Sequence, residues 1–402
     1  MFLLLTTVAL ATGPDLLADE AVAANPSLEA MEARTRQLAA LAEVADLWPD
    51  PMLGVEYSSM AVDEPLPGSH PMSGVQFKAQ QTLPTPGLTD LRAEVAEGRV
   101  DISEEATLEA ELRLRRQVEQ TWWRLALSRT LKAVTEEHID RTEELLAAVR
   151  SRYETGNAGQ SALLRLGLLA DRLADDLGDY ERADLQLSAA LAGALARDEG
   201  TFDTPEDIAP VPVEGDVDAW LATALELRPE LRRLELVAEN EERAADLARI
   251  DARPDLTVWG GYRVRTQEAD GTDLISLGLS APIPLNSSRR GEAIAAGHLE
   301  AASGARHQHD AFVDQLQASL TTAWARWARS ADKADTYDTV LIPAAVAALE
   351  TTLSDYRVGK VDFTSLYEAE VDLLMLERAR LAASTDTHVQ RAEVRALTGE
   401  SL

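Results

Sequence analysis

The chain has 402 residues and no cysteine, which excludes disulfide staples, thiolate metal sites and cysteine nucleophiles. Its net charge of −31 excludes the basic footprint that nucleic acid requires and leaves two readings, a solvated acidic surface or a water-filled interior that favours cations. Apolar residues make up 46 % and aromatics only 5 %, a balance that favours long helices over compact α/β cores.

In chain order, the apolar run Phe2–Ala11 ends in Ala9-Leu10-Ala11, a small-x-small pattern, and is too short to span a bilayer as a helix. Residues 1–11 are therefore expected to be a signal peptide, an atypical one because no Lys or Arg precedes the run. Residues 12–48 carry Ala and Leu at helical spacing and predict a first helix; 49–86 predict a hairpin bounded by prolines; 87–200, free of proline beyond Pro86, predict two long helices. Residues 201–215, rich in Pro and Asp, read as a linker. The order then returns, with a helix over 216–253, a hairpin over 254–285 and long helices over 286–402.

Landmark residues support a duplication. Asn25-Pro26-Ser27-Leu28 returns as Arg228-Pro229-Glu230-Leu231, Pro49-Asp50 as Pro254-Asp255, Leu83-Pro84 as Ile283-Pro284, and Tyr153-Glu154-Thr155-Gly156 as Tyr356-Arg357-Val358-Gly359. Each match alone is weak, but all keep the same order and nearly the same offset. Between Leu166 and Ala194 apolar residues fall at coiled-coil steps of three and four, with Asp184 in one apolar place. Helices this long cannot bury themselves within one small domain and must pack lengthwise against others.

The hairpins alternate. Leu256, Val258, Tyr262 and Val264 oppose Thr257, Trp259, Arg263 and Arg265, and Ile275, Leu277 and Leu279 oppose Ser276, Gly278 and Ser280. Leu53, Val55 and Tyr57, then Val75, Phe77, Ala79 and Leu83, alternate in the same way in the first half. Such runs suit a transmembrane barrel, with Leu256, Val258, Tyr262, Leu277 and Leu279 expected to face lipid; surface hairpins resting on helices are the plainer alternative. A membrane barrel must close, and eight strands is about the minimum. Four strands cannot close, whereas three chains supply twelve. The predicted fold class is mainly α with a β-barrel part: tandem-duplicated coiled-coil helices plus four membrane strands per chain, assembled as a trimeric 12-stranded barrel on an α-helical tunnel.

The duplicated order, Arg228-Pro229-Glu230-Leu231, Ala252-Arg253-Pro254-Asp255-Leu256, and Tyr356-Arg357-Val358-Gly359-Lys360 followed by Leu366-Tyr367-Glu368-Ala369-Glu370 together resemble the TolC-type outer-membrane efflux factors. Gln80-Gln81-Thr82-Leu83-Pro84-Thr85-Pro86-Gly87-Leu88 resembles the corresponding stretch of that family's heavy-metal branch. The resemblance implies a homotrimer in outer-membrane lipid extending into the periplasm, meeting a periplasmic adaptor (membrane fusion protein) and an inner-membrane pump, and passing small molecules or metal cations outward. It implies that Tyr356, Val358, Gly359 and Lys360 form an adaptor-contacting tip. The first-half counterpart at Gly156 lacks the valine. It implies a narrowing ring of acids just after the tip. Glu368 matches one such position, Ser365 stands at the other, and Asp362 is the nearest substitute. A plain helix-hairpin turn explains the glycines equally well, and ordinary solvated side chains explain the acids.

No catalytic constellation is present: no phosphate-cradling glycine loop, no His-Glu-x-x-His and no Gly-x-Ser-x-Gly. No enzyme activity, cofactor, metal or nucleic-acid partner is expected. His307 and His309, two apart on a helix, face different ways and make poor joint ligands, and His138 reads as a surface or seam residue. Asp171, Asp175 and Asp179 form a stripe suited to a lumen wall or a solvated face. The competing reading from another class is a soluble periplasmic coiled-coil adaptor or scaffold whose hairpins never enter lipid.

Overall fold

The computed structural model describes residues 13–59, 62–63, 72–265 and 273–400. The expected signal segment 1–11 and most of both hairpin loops lie outside the described residues. The first repeat runs α1 (Pro14–Ala24), α2 (Pro26–Ala42), β1 (Met52–Ser58), β2 (Gly74–Leu83), α3 (Leu88–Glu154) and α4 (Gln160–Ala194). The second runs α5 (Val217–Leu227), α6 (Pro229–Asp251), β3 (Leu256–Arg265), β4 (Leu274–Ser280), α7 (Ser287–Thr336), a π turn over Tyr337–Leu341, α8 (Ile342–Arg357) and α9 (Phe363–Thr398). The two correspond element for element once α7, the π turn and α8 are taken as the counterpart of α3. The π turn stands just ahead of Pro343, whose missing N–H removes a helical bond there, and the looser turn carries the helix past it.

The first helix of each half departs from expectation, because each is broken in two. Asn25 and Arg228 precede proline and are extended, at φ −73°, ψ 119° and φ −73°, ψ 116°. The proline ring disfavours α geometry in the residue before it, so each helix ends there and another begins with proline in its first turn.

The chain divides into two compact units. One comprises Met31–Ala106 and Glu230–Ala311. It holds a single antiparallel sheet in the order β1-β2-β3-β4, so the two hairpins lie side by side. The β2–β3 register pairs Thr82 with Thr257 and Phe77 with Tyr262, and the β3–β4 register pairs Val258 with Leu279. The outer edges of β1 and β4 pair with no strand among the described residues.

The other unit comprises the described part of Met1–Ala30, with Thr107–Pro229 and Phe312–Leu402. One core cluster joins Leu17 and Ala21 of α1 to Val118, Trp122 and Leu125 of α3 and to Leu191 of α4. The α4 seam buries Leu166, Leu169, Leu173 and Leu191, and Asp184, in the polar place of that seam, binds Arg129 of α3. The linker is fastened through its backbone. Trp122 Nε1 donates to the Asp203 carbonyl at 3.1 Å, Trp327 Nε1 to Val211 at 2.9 Å and His388 Nε2 to Ala209 at 2.8 Å.

Candidate functional site

Two turns in the helical unit share one local design. At the end of α3, Gly156 adopts φ +77°; its N–H reaches the Tyr153 carbonyl at 2.9 Å, and Asn157 N–H reaches Arg152 at 2.7 Å. At the end of α8, Gly359 adopts φ +80°; its N–H reaches the Tyr356 carbonyl at 3.0 Å, and Lys360 N–H reaches Asp355 at 2.9 Å. These are the paired bonds of a Schellman cap, which needs a left-handed residue and so favours glycine. The duplication thus extends to individual hydrogen bonds.

Arg152 brings the two turns together. Its guanidinium lies 4.7 Å from the Tyr356 ring centroid and donates through Nη1 to the Tyr356 carbonyl, while its own carbonyl caps the first turn. Tyr356 is buried in a core that also holds Leu145, Val149, Leu166 and Leu366, whereas Val358 is exposed. Lys360 Nζ sits 3.1 Å from Asp355. The sequence reading singled out Tyr356, Val358, Gly359, Lys360 and Gly156 but not Arg152. The signal was present: the duplication sets Arg152 opposite Asp355, each directly before its tyrosine.

Past the second turn, Asp362 caps α9. Its carboxylate accepts from Ser365 N–H at 3.0 Å and from Ser365 Oγ at 2.9 Å, and these bonds hold its pKa below the usual carboxylate range. Glu368 lies one turn further on, on the exposed side of α9, beside a groove lined by Ala344, Ala345, Ser365, Asp372 and Met375. Asp171, Asp175 and Asp179 of α4 are exposed as well. Among the described residues no group of three His, Cys, Asp or Glu side chains is placed to hold a metal ion, and no helix is long and apolar enough to cross a membrane.

In the sheet unit, the strand registers put Leu53, Val55, Phe77, Leu256, Val258, Tyr262, Ile275, Leu277 and Leu279 on one face. All are exposed, Leu53 at 84 % and Leu277 at 82 %. Gln81 is a polar exception, with Nε2 bound to the carbonyls of Pro49 and Thr82. The opposite face is polar and interlinked, with Arg263 bound to Gln76 at 2.7 Å and the Lys78 ammonium 4.8 Å from the Trp259 ring centroid.

Residues 17–197 match the profile of the family described as outer membrane efflux protein. No curated protein matches the chain in sequence. Several solved structures share its fold. The outer-membrane channel OprN is 16 % identical, with TM-score 0.81 over 96 % of this chain and 89 % of that one. CusC is 16 % identical, with TM-score 0.79 over 98 % and 96 %. The outer membrane protein VceC of Vibrio cholerae is 15 % identical, with TM-score 0.79 over 96 % of both chains. The resemblance to the TolC-type efflux factors, drawn from motifs, therefore recurs in the profile match over the first repeat and in the fold of nearly the whole chain.

Proposed function

With its first repeat carrying the pattern of the outer membrane efflux proteins, we propose that this chain is one subunit of a trimeric exit duct of a tripartite efflux pump. It resides in the outer membrane, extends into the periplasm, and is a passive channel without enzyme activity. The observation that carries this reading is the sheet, with one face apolar and exposed, the other polar, and neither edge paired among the described residues. In water such a face would be a large unpaid hydrophobic surface and such edges would invite aggregation. In lipid both are resolved at once when three chains close a ring of twelve strands, with Leu256, Val258, Tyr262, Leu277 and Leu279 toward the acyl chains.

The turns at Tyr356–Lys360 and Gly156 are the adaptor-facing tips, and an inner-membrane pump works through that adaptor. Glu368 narrows the tunnel beyond the tip. Asp362, engaged as a helix cap, contributes negative charge nearby. The cargo class is small molecules or metal cations, in keeping with the net charge of −31.

Cell fractionation combined with planar-bilayer recording tests the reading. Recovery in the outer membrane and a passive, cation-preferring conductance are expected. Recovery as a soluble periplasmic protein without conductance would overturn it in favour of a scaffold.

A further inference from the structure

His138 of α3 is fully buried, and both its ring nitrogens meet carboxylates of α9. Nδ1 lies 2.6 Å from Glu370 Oε1, and Nε2 lies 2.7 Å from Glu377 Oε2. Glu370 is 1 % exposed, and its Oε2 has no hydrogen-bond partner among the described residues. Charged and titratable groups surround this trio from every neighbouring helix. On α3, Arg141 binds Glu137 through one nitrogen, its buried Nη1 has no hydrogen-bond partner among the described residues, and Glu144 lines the same cavity as Glu370. On α4, Asp176 binds Arg378 of α9 at 2.8 Å, and the Tyr180 ring lies 5.9 Å from that guanidinium. Arg378 also donates to Thr135 Oγ1 of α3, and Glu350 of α8 lines the cavity.

Two contacts of this length need a hydrogen each. An imidazolium supplies both. A neutral imidazole between two carboxylates supplies one, and the other contact then sets lone pair against lone pair in a buried place. Glu370 is joined to the tip by its helix. It stands two residues after Glu368, so one stretch of α9 presents an exposed carboxylate and a packed one.

We infer that His138, Glu370 and Glu377 form a proton-held clamp fastening α9 of the second repeat to α3 of the first, and that its release frees the α8–α9 tip to part from the α3–α4 hairpin. The role assigned to the tip rests on the duct reading; the clamp itself does not. Burial, the largest single influence on His138, lowers its pKa, but its bonds to Glu370 and Glu377 and their charges together raise it above the ordinary histidine value. A raised folded pKa means stabilisation fully present below about pH 6.5 and lost as pH climbs through the raised value. The clamp is therefore tight below about pH 6.5 and loosens as pH climbs through the raised His138 value.

Hydrogen–deuterium exchange of the detergent-purified full chain over a pH series, corrected for intrinsic rates, reads the clamp directly. Residues 363–377 report on it, and 108–126 serve as the internal reference. In the parent, exchange in 363–377 is expected to quicken about tenfold or more across the His138 titration, the scale of losing a buried charged hydrogen bond. Glu377→Gln is the informative variant, because its amide donates to Nε2 while Nδ1–H donates to Glu370. Neutral His138 then keeps both contacts, and protection stays level as pH rises. His138→Ala is expected to leave 363–377 unprotected throughout; should it fail to fold, Glu377→Gln still decides. A parent without pH dependence, or a Glu377→Gln variant that keeps the parent's dependence, overturns the clamp. Bilayer recording separates the two readings: the exchange pattern without conductance in any variant removes the duct and leaves the clamp, and conductance with level exchange does the reverse.

Discussion

In the proposed duct, ion selectivity is expected to turn on Glu368. Three-fold symmetry would bring three copies of its carboxylate around one narrow axis, where like charges resist joint ionisation and attract cations. Replacing Glu368 by Ala is expected to weaken cation preference in bilayer recordings, and Glu368→Lys to reverse it at unchanged assembly. Parent-like selectivity in both variants would make Glu368 an ordinary solvated side chain and move the search to Asp362. His388 makes a second residue-level prediction, in the opposite pH direction to His138. It stacks on Trp123 at 3.5 Å between ring centroids, and burial holds its pKa at about 4. A depressed histidine stays neutral in the fold while the unfolded chain takes up a proton, so stability falls as pH drops from about 6.5 toward 4, by up to about 3 kcal/mol. Thermal unfolding between pH 7 and 4.5 would show this slope in the parent and a shallower one in His388→Phe; equal slopes would contradict it.

At the scale of elements, the strands were the most legible part of the chain. A period of two with prolines at the borders has one geometric reading, and the observed register gathers Val55, Phe77, Tyr262 and Ile275 onto one face. Val258→Arg and Leu277→Arg are each expected to impair insertion into lipid by about 2–4 kcal/mol near the midplane. Folding into vesicles, followed by urea titration, measures this, and parent-like insertion of both variants would argue against lipid contact. The breaks at Asn25 and Arg228 were in plain view, but the apolar spacing continues across both prolines and masks the stop. The fastening of the linker was not legible, because its donors Trp122, Trp327 and His388 lie far away in sequence and bind backbone carbonyls, which carry no side-chain signature. The same distance hid the His138 trio: nothing local to His138 announces Glu370.

At the scale of the whole molecule, duplication is the fact from which the rest follows. It sets two hairpins side by side in one sheet and repeats the capped turn at Gly156 and Gly359 bond for bond. Among the described residues it also leaves four strands with two open edges, which is half of a closure argument; the other half is the lipid that forbids open edges. The most direct test is the mass of the purified protein in mild detergent or lipid nanodiscs, counted as chains per particle. Three chains per particle are expected, with no folded species below the trimer. A stable, well-folded single chain carrying its four-stranded sheet intact would contradict it.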